Sequence, residues 1–369
     1  MRAQRRPSLS SSASLRVLVI RRDNIGDLVC TTPSLQALRA RYSSARIAVL
    51  VTSYNTAAID HHPVPNAIYR YTKLKHRGAG AATLLLLIER MRTLWWLRRE
   101  RFDYAILAGA GFQPRIARLA RWLGVRHVIG YTAPGDTRSR WIDVGVAPDP
   151  RPLHQVQAVF RLLQPLGIGG APPPARVVPD PAEVEAARRR LRAQGVTRER
   201  VIGVHISTRK PSNRWPDASY AELIRRLHSQ YSATFLLLWA PGDAANPRHP
   251  GDDASAMAIK TALADVPVVA YPMGPLSQLI ADLSLCDFVI TSDGGAMHIA
   301  AGLNKPILCF FGDTDATHWR PWAVPHELLQ PPSRCAADIS VDEAVRAFEK
   351  LVTAVGSMAP QPSDTRATS

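Results

Sequence analysis

The stretch "VLVIRRDNIGDLVCTTP", residues 17–33, decides the fold. Its four leading apolar residues form the short continuous run of a strand buried on both faces, and Gly26-Asp27 stands just past the strand's end. In an open parallel sheet that is where the ligand crevice opens. A carboxylate there has two readings. Either Asp27 is a general base, with Gly26 clearing room for a substrate hydroxyl to come within about 2.6–3.2 Å, or it caps a helix. A helix continuing from Asp27 would carry Pro33 in its interior and kink, whereas a start at Thr32-Pro33 leaves Asp27 in a loop. Asp23 is the rival carboxylate, with Arg21, Arg22 or a nearby amide as its natural partner.

Working outward, short β-type runs alternate with helical patterns. Strands are expected at 16–20, 46–51, 103–107 and 127–130, with helices at 34–42, 79–101 and 113–123. "LGIGGAPPPARVVPDP", residues 166–181, cannot continue a helix and reads as a hinge. A second series follows: helix 181–194, strand 201–206, helix 217–231, strands 234–239 and 266–270, helix 276–284, strand 288–291, helix 296–303 and strand 306–311. The expected architecture is α/β, two doubly wound Rossmann-like domains facing each other across a cleft. The bounds are a disordered tail 1–14, a first domain 15–168, a linker 169–180, a second domain 181–339, a closing helix 340–355 that packs back across the lobes, and a tail 356–369.

Composition narrows the function. With 369 residues, 46% of them apolar, the chain can bury a real core. The Ser-rich basic start lacks the apolar region of a secretory signal, and "ATLLLLIERMRTLWWL" is too interrupted by charge to span a bilayer. Four scattered cysteines fit a reducing compartment and neither a zinc site nor a disulfide framework, so a cytoplasmic protein is expected. The net charge of +16 is unevenly placed: residues 1–150 hold 24 of the 46 Lys and Arg but 9 of the 30 Asp and Glu. That asymmetry assigns an anionic partner to one half. No nucleic-acid signature accompanies it, which leaves a lipid or glycolipid as the expected partner, unless the arginines are simply solvated.

Two further stretches carry chemistry. In "TSDGGAMHIAAG", residues 291–302, a strand turns through Asp293-Gly294-Gly295 into a helix with His298 in its first turn. Glycines admit a ligand to the backbone and the helix start attracts anions, so this suits a phosphate; the plainer reading is an N-cap with His298 on a solvated face. In "GVHISTRKPSNRWPDASYAELI", residues 203–224, Ser207, Thr208, Arg209, Lys210 and Arg214 gather after a strand, a donor set matched to a diphosphate. The plainer reading is a solvated basic loop beside a packing tryptophan.

With "VLVIRRDNIGDLVCTTPSLQAL", "HISTRKPSNRWPDASYAELI" and "ITSDGGAMHIAAGLNKPILCFFG" in order over roughly residues 15–350, the chain resembles glycosyltransferase family 9, the lipopolysaccharide heptosyltransferases and their relatives. The resemblance implies a GT-B fold and inverting transfer without a metal or cofactor. It places the nucleotide sugar, ADP-heptose, in the second domain and an anionic glycolipid acceptor in the first. Asp27 then takes the base's role, with Gly26, Asp23 and Arg22 on the acceptor side. Ser207, Thr208, Arg209, Lys210, Arg214, Asp293, Gly294, Gly295 and His298 hold the donor, and Asp243 sits where relatives place a nucleotide-contacting acid. Two departures stand out: Asn213 replaces the usual Lys two places before the Trp-Pro pair, and "DGG" replaces Asp-Thr/Ser-Gly. The basic half suits phosphorylated lipid A–core at the cytoplasmic face of the inner membrane, with 84–101 as an interfacial patch or else an ordinary core helix. The alternatives are a sugar-nucleotide epimerase on the same scaffold and a non-catalytic nucleotide-sugar or glycolipid binder.

Overall fold

The computed structural model describes residues 15–72, 81–196, 200–245 and 251–356, so the tail expected at 1–14 lies outside it, as does the one expected at 356–369 apart from Gly356, which caps the last helix. The chain divides into two compact units after Val178.

The first unit carries six strands: β1 (Arg16–Ile20), β2 (Arg46–Thr52), β3 (Ala67–Tyr71), β4 (Tyr104–Leu107), β5 (His127–Tyr131) and β6 (Val144–Val146). All pair in parallel, in the order β3-β2-β1-β4-β5-β6. β1 lies centrally between β2 and β4, which is why Val17–Ile20 are apolar on both faces and buried. Helices α1 (Ile25–Val29), α2 (Thr32–Arg41), α3 (Ala81–Arg99), α4 (Pro114–Trp122) and α5 (Gln155–Arg161) complete the unit. Leu94 and Leu97 of α3 join Leu18, Ile20, Phe102 and Ala117 in its core.

The second unit repeats the plan. It comprises α6 (Pro181–Ala193), β7 (Val201–His205), α7 (Asp217–Tyr231), β8 (Thr234–Trp239), α8 (Asp253–Ala262), β9 (Val268–Pro272), α9 (Leu276–Ser284), β10 (Phe288–Ser292), α10 (Gly295–Gly302), β11 (Ile307–Phe310), α11 (Ala316–Trp319), β12 (His326–Leu329) and α12 (Val341–Val355). Its sheet runs β12-β11-β10-β7-β8-β9, the same order with the first strand again central. In each unit the winding direction reverses beside that strand, between β1 and β4 and between β7 and β10. Ligands bind at the carboxyl ends of strands flanking such a reversal.

Several expectations change. α1 and α2 are separate helices: the start at Thr32-Pro33 is real, and Pro33's missing N–H costs nothing there, but Asp27 lies neither at a cap nor in a loop, because Asn24 caps α1 and Asp27 is its third residue. β3, β6 and β12 were not expected, and β9 begins two residues later than expected. Within the expected linker, residues 174–177 pack on the first unit: Arg176 N donates to Thr32 Oγ1 at 2.9 Å and Gln36 Nε2 to the Pro174 carbonyl at 2.8 Å, with Ala175 and Val177 buried. α12 packs through Phe348 and Leu351 into the core of the second unit itself.

Candidate active site

In the first unit the site is built around α1. Asn24 caps the helix and Asp27, three residues on, closes a capping box: Asp27 Oδ2 accepts from Asn24 N and from Asn24 Nδ2, each at 3.1 Å. The other oxygen, Oδ1, takes an N–H from the Arg21 guanidinium, whose second terminal nitrogen donates to the Ala108 carbonyl just past β4. Arg21 and Asp27 are both buried. An ionised carboxylate offers about four lone pairs. Three are engaged, two on Oδ2 and one on Oδ1, and one remains on Oδ1.

The capping carboxylate is thus held beside the switch point of the first sheet, with an acceptor position left on Oδ1. Asn55 braces the loop from β2, with Nδ2 reaching the Asp23 and Asn24 carbonyls at 3.3 and 3.4 Å. Gly26 is buried within α1. Asp23 pairs with Arg21 Nε at 3.4 Å and is more exposed than Asp27. Arg22 is partly buried, which pushes its pKa down from the ordinary guanidinium value. Its guanidinium lies 4.5 Å from the centre of the Tyr71 ring, which Arg90 also covers at 4.6 Å.

In the second unit, β10 ends at Ser292 and α10 begins at Gly295 with Gly294 as its N-cap. The first amides of α10 have no intrahelical partner and, beside the β7 loop, make a cradle that can take an anion. Thr208 Oγ1 meets the Asp293 carbonyl at 3.4 Å. Asn213 is only 1% exposed. Its Nδ2 donates to Asp293 Oδ2 at 3.1 Å, and its Oδ1 accepts from Gly312 N at 2.8 Å. Thr314 Oγ1 donates to the same Asp293 oxygen at 2.8 Å, and Lys210 Nζ reaches Thr314 Oγ1 at 3.1 Å and Asp313 Oδ1 at 3.2 Å. Thr314 thus supplies a hydroxyl to Asp293, and position 213 holds a buried connector. His298 is buried in α10, its ring 5.7 Å from that of Trp319.

Of the expected donor residues, Thr208, Lys210 and Asp293 are joined through these bonds beside Gly294 and Gly295, and His298 lies one turn into α10. Arg209 is exposed on the same loop. Three stand apart. Arg214 turns to the buried Asp252 at 2.8 Å, Ser207 accepts from Ala240 N at 2.8 Å, and Asp243 lies exposed, accepting from Ala245 N within its own turn. Trp215 is a packing residue between Tyr220 and Phe310. The Gly312–Thr314 loop after β11 was missed, although "GDT" directly follows the strand expected at 306–311.

Two units of this strand order in one chain, one with a braced carboxylate at its switch point and the other with the unpaired first amides of a helix at its own, have the architecture of a GT-B glycosyltransferase. Residues 90–345 match the model of glycosyltransferase family 9 (heptosyltransferase), and the chain belongs to that family. It is 25% identical over 304 residues to lipopolysaccharide heptosyltransferase 3 of Escherichia coli, covering 81% of this chain and 84% of that protein. Among solved structures it resembles the family 9 glycosyl transferase of Veillonella parvula, at a TM-score of 0.76 and 16% identity over 92% of this chain and 97% of the other. It also resembles E. coli heptosyltransferase WaaC with ADP-2-deoxy-2-fluoro heptose, at a TM-score of 0.70 and 18% identity over 91% and 99%. Among the described residues no helix is long and apolar enough to cross a membrane.

Proposed function

We propose that this glycosyltransferase transfers heptose from ADP-heptose to a lipopolysaccharide core or related glycolipid, with inversion and without a metal. Asp27 Oδ1 accepts the acceptor's hydroxyl proton as that oxygen bonds to the anomeric carbon. The bond from that carbon to the diphosphate breaks, and the leaving group keeps the electron pair. Lys210, Arg209, Thr208, the first amides of α10 and His298 meet its growing charge. The reserved lone pair on the Arg21-braced carboxylate carries the reading, and the donor's identity is supported by the sugar nucleotide with which WaaC was solved.

Purified protein is incubated with ADP-heptose, other nucleotide sugars and a deacylated lipopolysaccharide core. ADP-heptose should raise the melting temperature most, and the product should carry the inverted anomeric configuration. Consumption of the nucleotide sugar without an acceptor would point to an epimerase, and tight binding without product to a silent binder.

A further inference from the structure

α3 is apolar on opposite faces. Leu94 and Leu97 enter the core of the first unit, while Leu85, Ile88, Met91, Trp95 and Trp96 face outward, with Leu85 67% and the two tryptophans about half exposed. Their spacing of three and four residues makes one continuous outer stripe. A helix with apolar residues on two faces needs a second apolar environment, and the core supplies only one. Trp122, 49% exposed at the end of α4, extends the patch sideways: Arg98 donates to its carbonyl and lies 5.8 Å from its ring centre. Arg99 covers Trp95 at 5.1 Å.

We propose that this face docks the enzyme on the surface of an anionic bilayer. The charge decides the occupant. α3 carries four arginines and one glutamate, within the half of the chain that holds the excess of basic residues. Tryptophan and arginine together suit the headgroup level, where indoles sit between apolar and wet layers and guanidiniums reach lipid phosphates. A second copy on the same face would set like-charged arginines against each other across a two-fold axis, at a place where interfaces exclude charge.

The full chain, without nucleotide sugar or acceptor, is sedimented with vesicles of phosphatidylcholine plus phosphatidylglycerol and with vesicles of phosphatidylcholine alone. It should bind the mixed vesicles and not the neutral ones, and lose binding as salt rises. Trp95→Ser/Trp96→Ser, and separately Ile88→Glu, should weaken binding about tenfold or more while melting as the wild type does. Turnover of a deacylated acceptor should stay unchanged in both variants. Equal binding to both vesicles, no binding, or variants that bind as tightly as the wild type would overturn the proposal. So would lipid-free self-association that the same substitutions abolish, which would make the face an interface between copies.

Discussion

Arg21 joins Asp27 to the Ala108 carbonyl, so one guanidinium ties the carboxylate of α1 to the end of β4 across the switch point of the first sheet. The fork holds Asp27 where two strand ends diverge, and burial makes each charge depend on the other. Arg21→Met should destabilise the protein by about 3–5 kcal/mol, since it strands a buried carboxylate. Adding Asp27→Asn to that variant should recover part of the loss, because no unpaired charge remains. Urea unfolding of the two single variants and the double variant measures the coupling, and simple additivity would remove Arg21 from its positioning role.

Asn213 connects three loops through both ends of its amide, whereas a lysine there can only donate. Asn213→Lys restores the residue usual in the family but leaves Gly312 N without its acceptor, and should cost about 1–3 kcal/mol. Donor affinity, read by calorimetry, should fall. A gain in affinity or turnover would mean that the site had kept room for the lysine.

Gly312 is fixed by close approach. A Cβ there would stand 2.1 Å from the Ser212 carbonyl oxygen, backbone that has little freedom to move. Gly312→Ala should push the β7 and β11 loops apart, lowering stability by about 1–3 kcal/mol and weakening nucleotide-sugar binding. Thermal unfolding with and without the sugar nucleotide separates the two effects.

His205, at the end of β7, is buried, and burial pushes its pKa down from 6.5 to about 4. Above about pH 7 it is neutral in the folded and the unfolded chain alike and contributes no pH dependence. As pH falls below 6.5 the unfolded chain takes a proton that the folded one refuses, so stability drops by ~3 kcal/mol until about pH 4 is passed. His62 of the first unit is also pushed down to about 4 and acts with the same sign. Comparison with His205→Asn isolates the share of His205: the variant's stability should fall less steeply between pH 6.5 and 4.

Legibility in the sequence followed burial. Residues 17–20 read as a central strand because both faces are covered, and the loops after β1, β7 and β10 followed from the places where such strands end. The missed strands carry a weaker signal. β3 and β12 are edge strands with polar or charged residues and partial burial, and β6 is an edge of three residues. Composition exposed the cations of the donor loop but not which of them turn away. Arg214 leaves the cradle because Asp252, 38 positions later, folds back to it. Asn213 looked like a missing charge, and only the pairing of β10 with β11 brings Asp293 and Gly312 to its two ends. Arg21 was legible only as a partner for Asp23, since its bridge to Ala108 spans 87 positions.

The most direct test is to measure glycosyl transfer and donor affinity side by side for Asp27→Asn, which keeps the side chain's size and one acceptor oxygen and removes the base. Transfer should fall by roughly 10²–10⁴-fold while the donor Kd stays within about twofold. Turnover near the wild-type rate, or donor binding lost in step with turnover, would contradict the assignment of Asp27 as the group that takes the proton.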